Sequence, residues 1–128
     1  MIRVALAEDH PEMRLALRLL LKLSAQIELV CEAEDGQQAL ACAQQLQPDV
    51  LVMDIRMPVL DGLEATRRLA ELGLKTRVIL VSSYTGGYVV MKASGVGAQG
   101  YVPKDRVAKE LLRAIEAVQR GETYFVKE

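Results

Sequence analysis

The chain has 128 residues, enough for one domain that buries about two-thirds of its unfolded surface. Apolar residues make up 51% and charged residues 26%, with a net charge of −1. That balance excludes disorder, and the lack of any basic run excludes a nucleic-acid surface in these residues.

Ile2–Ala7 is an apolar run that ends in Glu8-Asp9 and predicts a first strand, with no signal peptide before it. No apolar stretch approaches the roughly 20 residues that cross a bilayer, so a cytoplasmic protein away from the membrane is expected. Pro11 suits the first turn of a leucine-rich helix running to about Leu23. A second strand covers Ile27–Ala33, and Gln37–Gln47 reads as a helix stopped by Pro48. Cys31 and Cys42 fit no zinc or CxxC spacing and are expected as separate buried thiols in a reducing compartment.

The third strand, Asp49–Met53, ends in Asp54. Asp61 is a plausible N-cap for the helix Gly62–Leu72, closed by Gly73. Strand four is Arg77–Ser82, a weak helix spans about Thr85–Ser94, and strand five covers Gly100–Val102 before Lys104. The last helix, Val107–Arg120, is closed by Gly121. Five β-α units in a row predict an α/β fold: a five-stranded, parallel, doubly wound, flavodoxin-like sheet.

In such a sheet, ligands bind outside the carboxyl ends of the strands. Glu8, Asp9, Asp54, Ser82 and Lys104 all fall at that edge. Three carboxylates brought together repel, so some must take up protons or a cation must join them. Oxygen ligands without a histidine or thiolate cluster suit Mg²⁺ or Mn²⁺. Asp54, at the centre, is the natural nucleophile toward phosphorus, Lys104 would hold a phosphoryl oxygen, and Ser82 would donate a hydrogen bond to the product. His10, the single histidine, reads as a loop residue near the metal, with a catalytic base as the lesser alternative.

Glu8-Asp9, the segment Asp54-Ile-Arg-Met-Pro58, Asp61-Gly62, Ser82, Tyr101 and Lys104 closely resemble the receiver domain of two-component response regulators. Ser82-Ser83-Tyr84 and Gly97-Ala98-Gln99-Gly100-Tyr101 look most like the NarL/FixJ-type subfamily. The resemblance implies that Asp54 is phosphorylated by a sensor histidine kinase. It further implies that Asp9, Asp54 and the Arg56 backbone carbonyl ligate Mg²⁺, with Glu8 acting through water. Ser82 and Lys104 would bind the phosphoryl group, Ser82 and Tyr101 would form the switch, and Arg56 and Tyr84 would tune dephosphorylation. Residues 1–121 would form the receiver and 122–128 the start of a linker to an output domain, a helix-turn-helix that controls transcription. Such a protein is no enzyme toward a separate substrate, catalysing only its own phosphorylation and dephosphorylation, and homodimerisation on phosphorylation is open. Asp105 stands where many receivers have a proline after the lysine, and Glu8 is one methylene longer than the usual Asp.

Two surfaces add expectations. Glycines crowd 86–100 and read first as cap and loop glycines, with a weak fourth helix able to shift between arrangements as the sharper alternative. Arg14, Arg18 and Lys22 form a basic stripe on the first helix beside Leu15, Leu19 and Leu23, which reads as a core helix with a narrow wet face or, as the resemblance to receivers implies, as a surface for kinase docking. Other functions fit less well. A haloacid-dehalogenase-like phosphohydrolase needs a carboxylate at position 56, where Arg56 stands. A flavodoxin would not place Glu8, Asp9 and Glu12 around a phosphate. A phosphorylation-independent receiver-like interaction domain would be expected to lack a pocket residue.

Overall fold

The computed structural model describes residues 1–84 and 86–127. β1 (Ile2–Ala7), β2 (Ile27–Ala33), β3 (Val50–Asp54), β4 (Arg77–Ser82), β5 (Gly100–Pro103) and β6 (Tyr124–Phe125) pair in parallel, in the order β2-β1-β3-β4-β5-β6. The helices are α1 (Pro11–Leu21), α2 (Gly36–Leu46), α3 (Gly62–Glu71), α4 (Gly87–Gly95) and α5 (Val107–Gln119).

Strand residues alternate between two cores. Val4, Leu6, Val50, Val52, Ile79 and Val81 pack with Leu17 and Leu21 of α1 and with Leu111, Ile115 and Val118 of α5. Ala5, Ala7, Leu51, Met53, Val78 and Leu80 pack with α2, α3 and α4. Both faces are therefore covered, which is why the strands read as unbroken apolar runs. Strand order reverses between β1 and β3, and a crevice opens there at the carboxyl edge.

The expected five-stranded sheet gains a sixth strand. Tyr124 N–H donates to the Gln99 carbonyl and Val126 N–H to the Tyr101 carbonyl, 2.9 Å each. The Tyr124 hydroxyl donates to Glu110 on α5, and Phe125 packs against the core that holds Tyr101. Two residues carry too little periodicity to register as a strand, so the segment read as the opening of a linker is in part β6. Glu128 lies outside the described residues, as does Thr85, where the fourth helix was expected to begin.

The α4 helix buries only Val90 and Ala93, and Gly86 is its N-cap with a positive φ of 105°. On α1 the basic stripe is largely neutralised. Arg18 makes a two-pronged pair with Glu32 on β2, 2.8 Å on each prong, and Arg14 turns inward to donate to the Glu8 carbonyl at 2.8 Å. Beside exposed Glu12 and Lys22, Leu15 and Leu19 of the helix and Leu23 just beyond it are 45%, 57% and 77% accessible. The sulfurs of Cys31 on β2 and Cys42 on α2, expected as buried thiols, lie against each other across the two elements, with Cα atoms 6.6 Å apart. Neighbouring elements bring them together at a sequence separation that no local motif signals.

Candidate functional site at the sheet switch point

β1 delivers Glu8 and Asp9 to the carboxyl edge, β3 delivers Asp54, and the turn after β5 delivers Lys104. Parallel register sets Met53 beside Ala7 and Asp54 beside Val81, so the acids meet although 45 residues of chain separate Asp9 from Asp54. The ligand atoms of Glu8, Asp9, His10 and Asp54 all lie within 4.8 Å of one another. Glu8 is fully buried and Asp54 nearly so.

Lys104 Nζ bridges the two buried acids, 3.0 Å from Glu8 Oε1 and 3.0 Å from Asp54 Oδ2. Among the described residues there is no cis peptide bond; Lys104 opens a short 3₁₀ turn, Lys104–Arg106, and reaches the pocket with Asp105 behind it. Burial, with the Glu8 charge adding to it, pushes the Asp54 carboxyl up to about 6, against the pull of Lys104. Burial also opposes ionisation of Glu8, but hydrogen bonds from Lys104 and from the His10 amide outweigh it and hold Glu8 low. Burial works against the Lys104 charge too, and its two carboxylate partners more than restore it. The acids thus divide: Lys104 favours the ionised form of Glu8, while Asp54 holds its proton more readily than an ordinary aspartate.

The loop after β3 is shaped by a close approach. Gly62 N–H donates to the Ile55 carbonyl at 2.7 Å, and a Cβ on Gly62 would overlap the Asp54 carbonyl oxygen. Only glycine lets α3 begin against the backbone of Asp54. Asp61 accepts from the Glu64 amide at 2.8 Å and caps the helix, as its side chain predicts.

Ser82 is buried at the end of β4, its Oγ accepting the Tyr84 amide at 3.1 Å. Tyr101 is fully buried and donates its hydroxyl to the Tyr84 carbonyl. The Tyr84 ring lies outside, with the Arg56 guanidinium 5.0 Å from its centroid. The Arg56 amide donates to Asp54 Oδ1 at 3.4 Å. Glu8, Asp9, Asp54, Ser82 and Lys104 therefore meet at the pocket, Arg56 and Tyr84 lie in the loops that border it, and Tyr101 lies in the core beneath. What sequence reading missed is the acceptor for Tyr101, a backbone carbonyl that no side-chain pattern reveals.

An open cleft of about 530 Å³ lies over the acids, lined by Asp9, His10, Arg56, Met57, Pro58 and Asp61. Asp9 Oδ1 is buried there and accepts no hydrogen bond. An oxygen left in that state among three carboxylates fits a divalent cation.

The sequence family described as response regulator receiver domain matches residues 4–116. This chain belongs to the receiver-domain family. A transcriptional regulatory protein of Bacillus subtilis, YxjL, is 36% identical over 124 residues, which cover 97% of this chain and 57% of that protein. The nitrate/nitrite response regulator NarL of Escherichia coli is 34% identical over 119 residues, 93% of this chain and 55% of its own length. The receiver thus spans somewhat over half of the curated relatives it matches. The signal receiver domain of a putative NarL from Mycobacterium tuberculosis superposes with a TM-score of 0.90 at 34% identity, over 94% of this chain and 98% of that one. These relatives place the receiver among the NarL/LuxR-type transcriptional response regulators. Among the described residues, no helix is long and apolar enough to cross a membrane.

Proposed function

We propose that Asp54 is the phospho-acceptor of this receiver, taking a phosphoryl group from a phosphohistidine of a sensor kinase. The observation that carries the reading is the buried Asp54 carboxylate, raised in basicity and held 3.0 Å from the Lys104 ammonium. One Asp54 oxygen attacks phosphorus, the P–N bond to the kinase imidazole breaks, and the imidazole leaves with the bonding pair. The product is an acyl phosphate on Asp54. Lys104 and the Ser82 hydroxyl bind the equatorial oxygens of the transferring group. Asp9, Asp54 and the Arg56 backbone carbonyl would hold Mg²⁺ or Mn²⁺, with Glu8 acting through water; the ion supplies charge neutralisation for the phosphoryl oxygens.

Ser82 is the link to the switch. Its Oγ accepts the Tyr84 amide, and the Tyr84 carbonyl in turn holds Tyr101. Turning Ser82 toward a phosphoryl oxygen loosens the loop that carries both bonds, and Tyr101 and α4 respond. Driving a population from 1:99 to 99:1 takes about 5.5 kcal/mol, within reach of a phosphoryl group that engages one ammonium, one hydroxyl and one divalent ion. Arg56 stacked on Tyr84 borders the path of water to the acyl phosphate and sets its lifetime.

In the full-length protein, the receiver acts in the cytoplasm and controls a helix-turn-helix output domain joined through a linker after β6, and so transcription. The relatives' descriptions as transcriptional regulators support this, as does their length beyond the receiver. The decisive measurement is intact mass after incubation with acetyl phosphate and Mg²⁺, for the wild type beside Asp54→Asn. A Mg²⁺-dependent gain of one phosphoryl group, lost in the variant, is expected. No gain in the wild type would replace this reading with a phosphorylation-independent interaction domain.

A further inference from the structure

We propose that His10 is a nitrogen donor to the acidic cleft and gives it a preference for Mn²⁺, and for later first-row ions such as Co²⁺, over Mg²⁺. The inference rests on the reading of Asp9 and Asp54 as metal ligands. Its carrying observation is distance. His10 Nδ1 lies 3.3 Å from Asp9 Oδ1 and 3.3 Å from Glu8 Oε2. Two adjacent donors on an octahedral ion with bonds of about 2.2 Å sit about 3.1 Å apart, and opposite donors about 4.4 Å. The spread of donor atoms from Glu8, Asp9, His10 and Asp54, within 4.8 Å, is close to one coordination sphere.

His10 Nδ1 lies at hydrogen-bond distance from Glu8 Oε2, 3.3 Å, and an ion would take the place of the proton the two share. His10 is the N-cap of α1 in extended backbone, yet its side chain makes no capping bond, and Pro11 follows it at the first helical position. Its amide donates to Glu8 Oε2 at 3.2 Å, which pins the backbone at the cleft while the imidazole stays 70% exposed on the lip. The orphaned Asp9 Oδ1 lies within the same reach.

Charge gives the direction. Glu8, Asp9 and Asp54 carry −3 and Lys104 +1, leaving −2, which one divalent ion cancels. Mg²⁺ is hard, keeps its waters and gains little from a nitrogen ligand. Mn²⁺ gains more, and Co²⁺ more again. An all-oxygen pocket follows the same order with a shallower gradient.

The test uses the metals alone, with no phosphodonor. Mn²⁺ is titrated into the protein by the loss of the free-ion electron paramagnetic resonance signal, and Mg²⁺ is then added as competitor, for the wild type, His10→Ala and Asp9→Asn. Because the ring is largely exposed, circular dichroism of His10→Ala should match the wild type. His10→Ala is expected to weaken Mn²⁺ about tenfold, the scale on which supporting groups matter at metal sites, while Mg²⁺ changes less than twofold. Pulsed spectra of bound Mn²⁺ should carry ¹⁴N modulation from imidazole that His10→Ala removes. Mn²⁺ binding that needs Asp9 but shows no such modulation, or an unchanged Mn²⁺/Mg²⁺ ratio in His10→Ala, overturns the role of His10 alone. Binding indifferent to Asp9→Asn overturns the metal-site reading, and this inference with it.

Discussion

The Tyr101 hydroxyl donates to the Tyr84 backbone carbonyl, so the ring lies wholly inside the core and anchors the loop between β4 and α4 from beneath. Tyr101 is also tied outward, its own carbonyl accepting from Val126 beyond β6. One residue thus joins the loop that borders the pocket, through its side chain, to the segment after β6, through its backbone.

Tyr101→Phe keeps the ring and deletes that anchor. A loss of about 1 kcal/mol is expected, the net worth of one hydrogen bond, read as a lower urea midpoint at unchanged slope. Amide exchange should quicken from Ser82 through α4 and stay unchanged in α5. Equal quickening in α5 would mean a general loosening of the core rather than release of one loop.

Asp54 makes stability depend on pH in an unusual direction. Its folded-state value of about 6 exceeds the ordinary 3.8, so the folded protein holds this proton more tightly than the unfolded chain does. The contribution of Asp54 to stability therefore declines as pH rises from about 4 to 6, by up to about 3 kcal/mol. Glu8, held low, works the other way: its contribution is present above 4.5 and is lost as pH falls below that. In EDTA at pH 7.5, Asp54→Asn should melt higher than the wild type, with the gap closing toward pH 4. Mg²⁺ should raise the melting temperature of the wild type at pH 7.5 and barely at pH 5, where protons compete for Asp54.

Gly62→Ala drives a methyl group into the Asp54 carbonyl. The start of α3 or the end of β3 must shift, at an expected loss of about 1–3 kcal/mol. The informative readout is phosphorylation by acetyl phosphate, which should slow even where the variant is fully folded, because the displaced backbone carries Asp54. An alanine variant that is phosphorylated at the wild-type rate would show that the loop absorbs the methyl elsewhere.

Leu19→Asp on α1 tests the docking face. Leu19 is 57% exposed, so folding should survive the change. Phosphotransfer from the kinase should slow at least tenfold, while acetyl phosphate should label the protein at the wild-type rate. Charge reversal at Arg18 is a poorer probe, because Arg18 is engaged with Glu32 and the change would disturb β2 as well.

Most of the chemistry could be read in one dimension because buried parallel strands write themselves as apolar runs. Ile2–Ala7 and Arg77–Ser82 match the observed strands residue for residue, and the polar groups after them mark the edge where ligands bind. Asp61 announced the start of α3 through local capping chemistry, and Gly86 stands at the cap of α4, as a cap glycine should.

Tertiary structure decided what depends on pairing across the chain. Arg18 looked like a docking charge until β2 brought Glu32 beside it, and Tyr101 showed nothing of its acceptor until the loop after β4 folded over its ring. Tyr124-Phe125 became a strand only because β5 offered a free edge. Periodicity and local propensity govern each element within a few residues, so they survive in the sequence. Register, partner choice and the raised basicity of Asp54 arise from groups tens of residues apart brought within 3 Å in a dry pocket, and only the folded chain sets those distances.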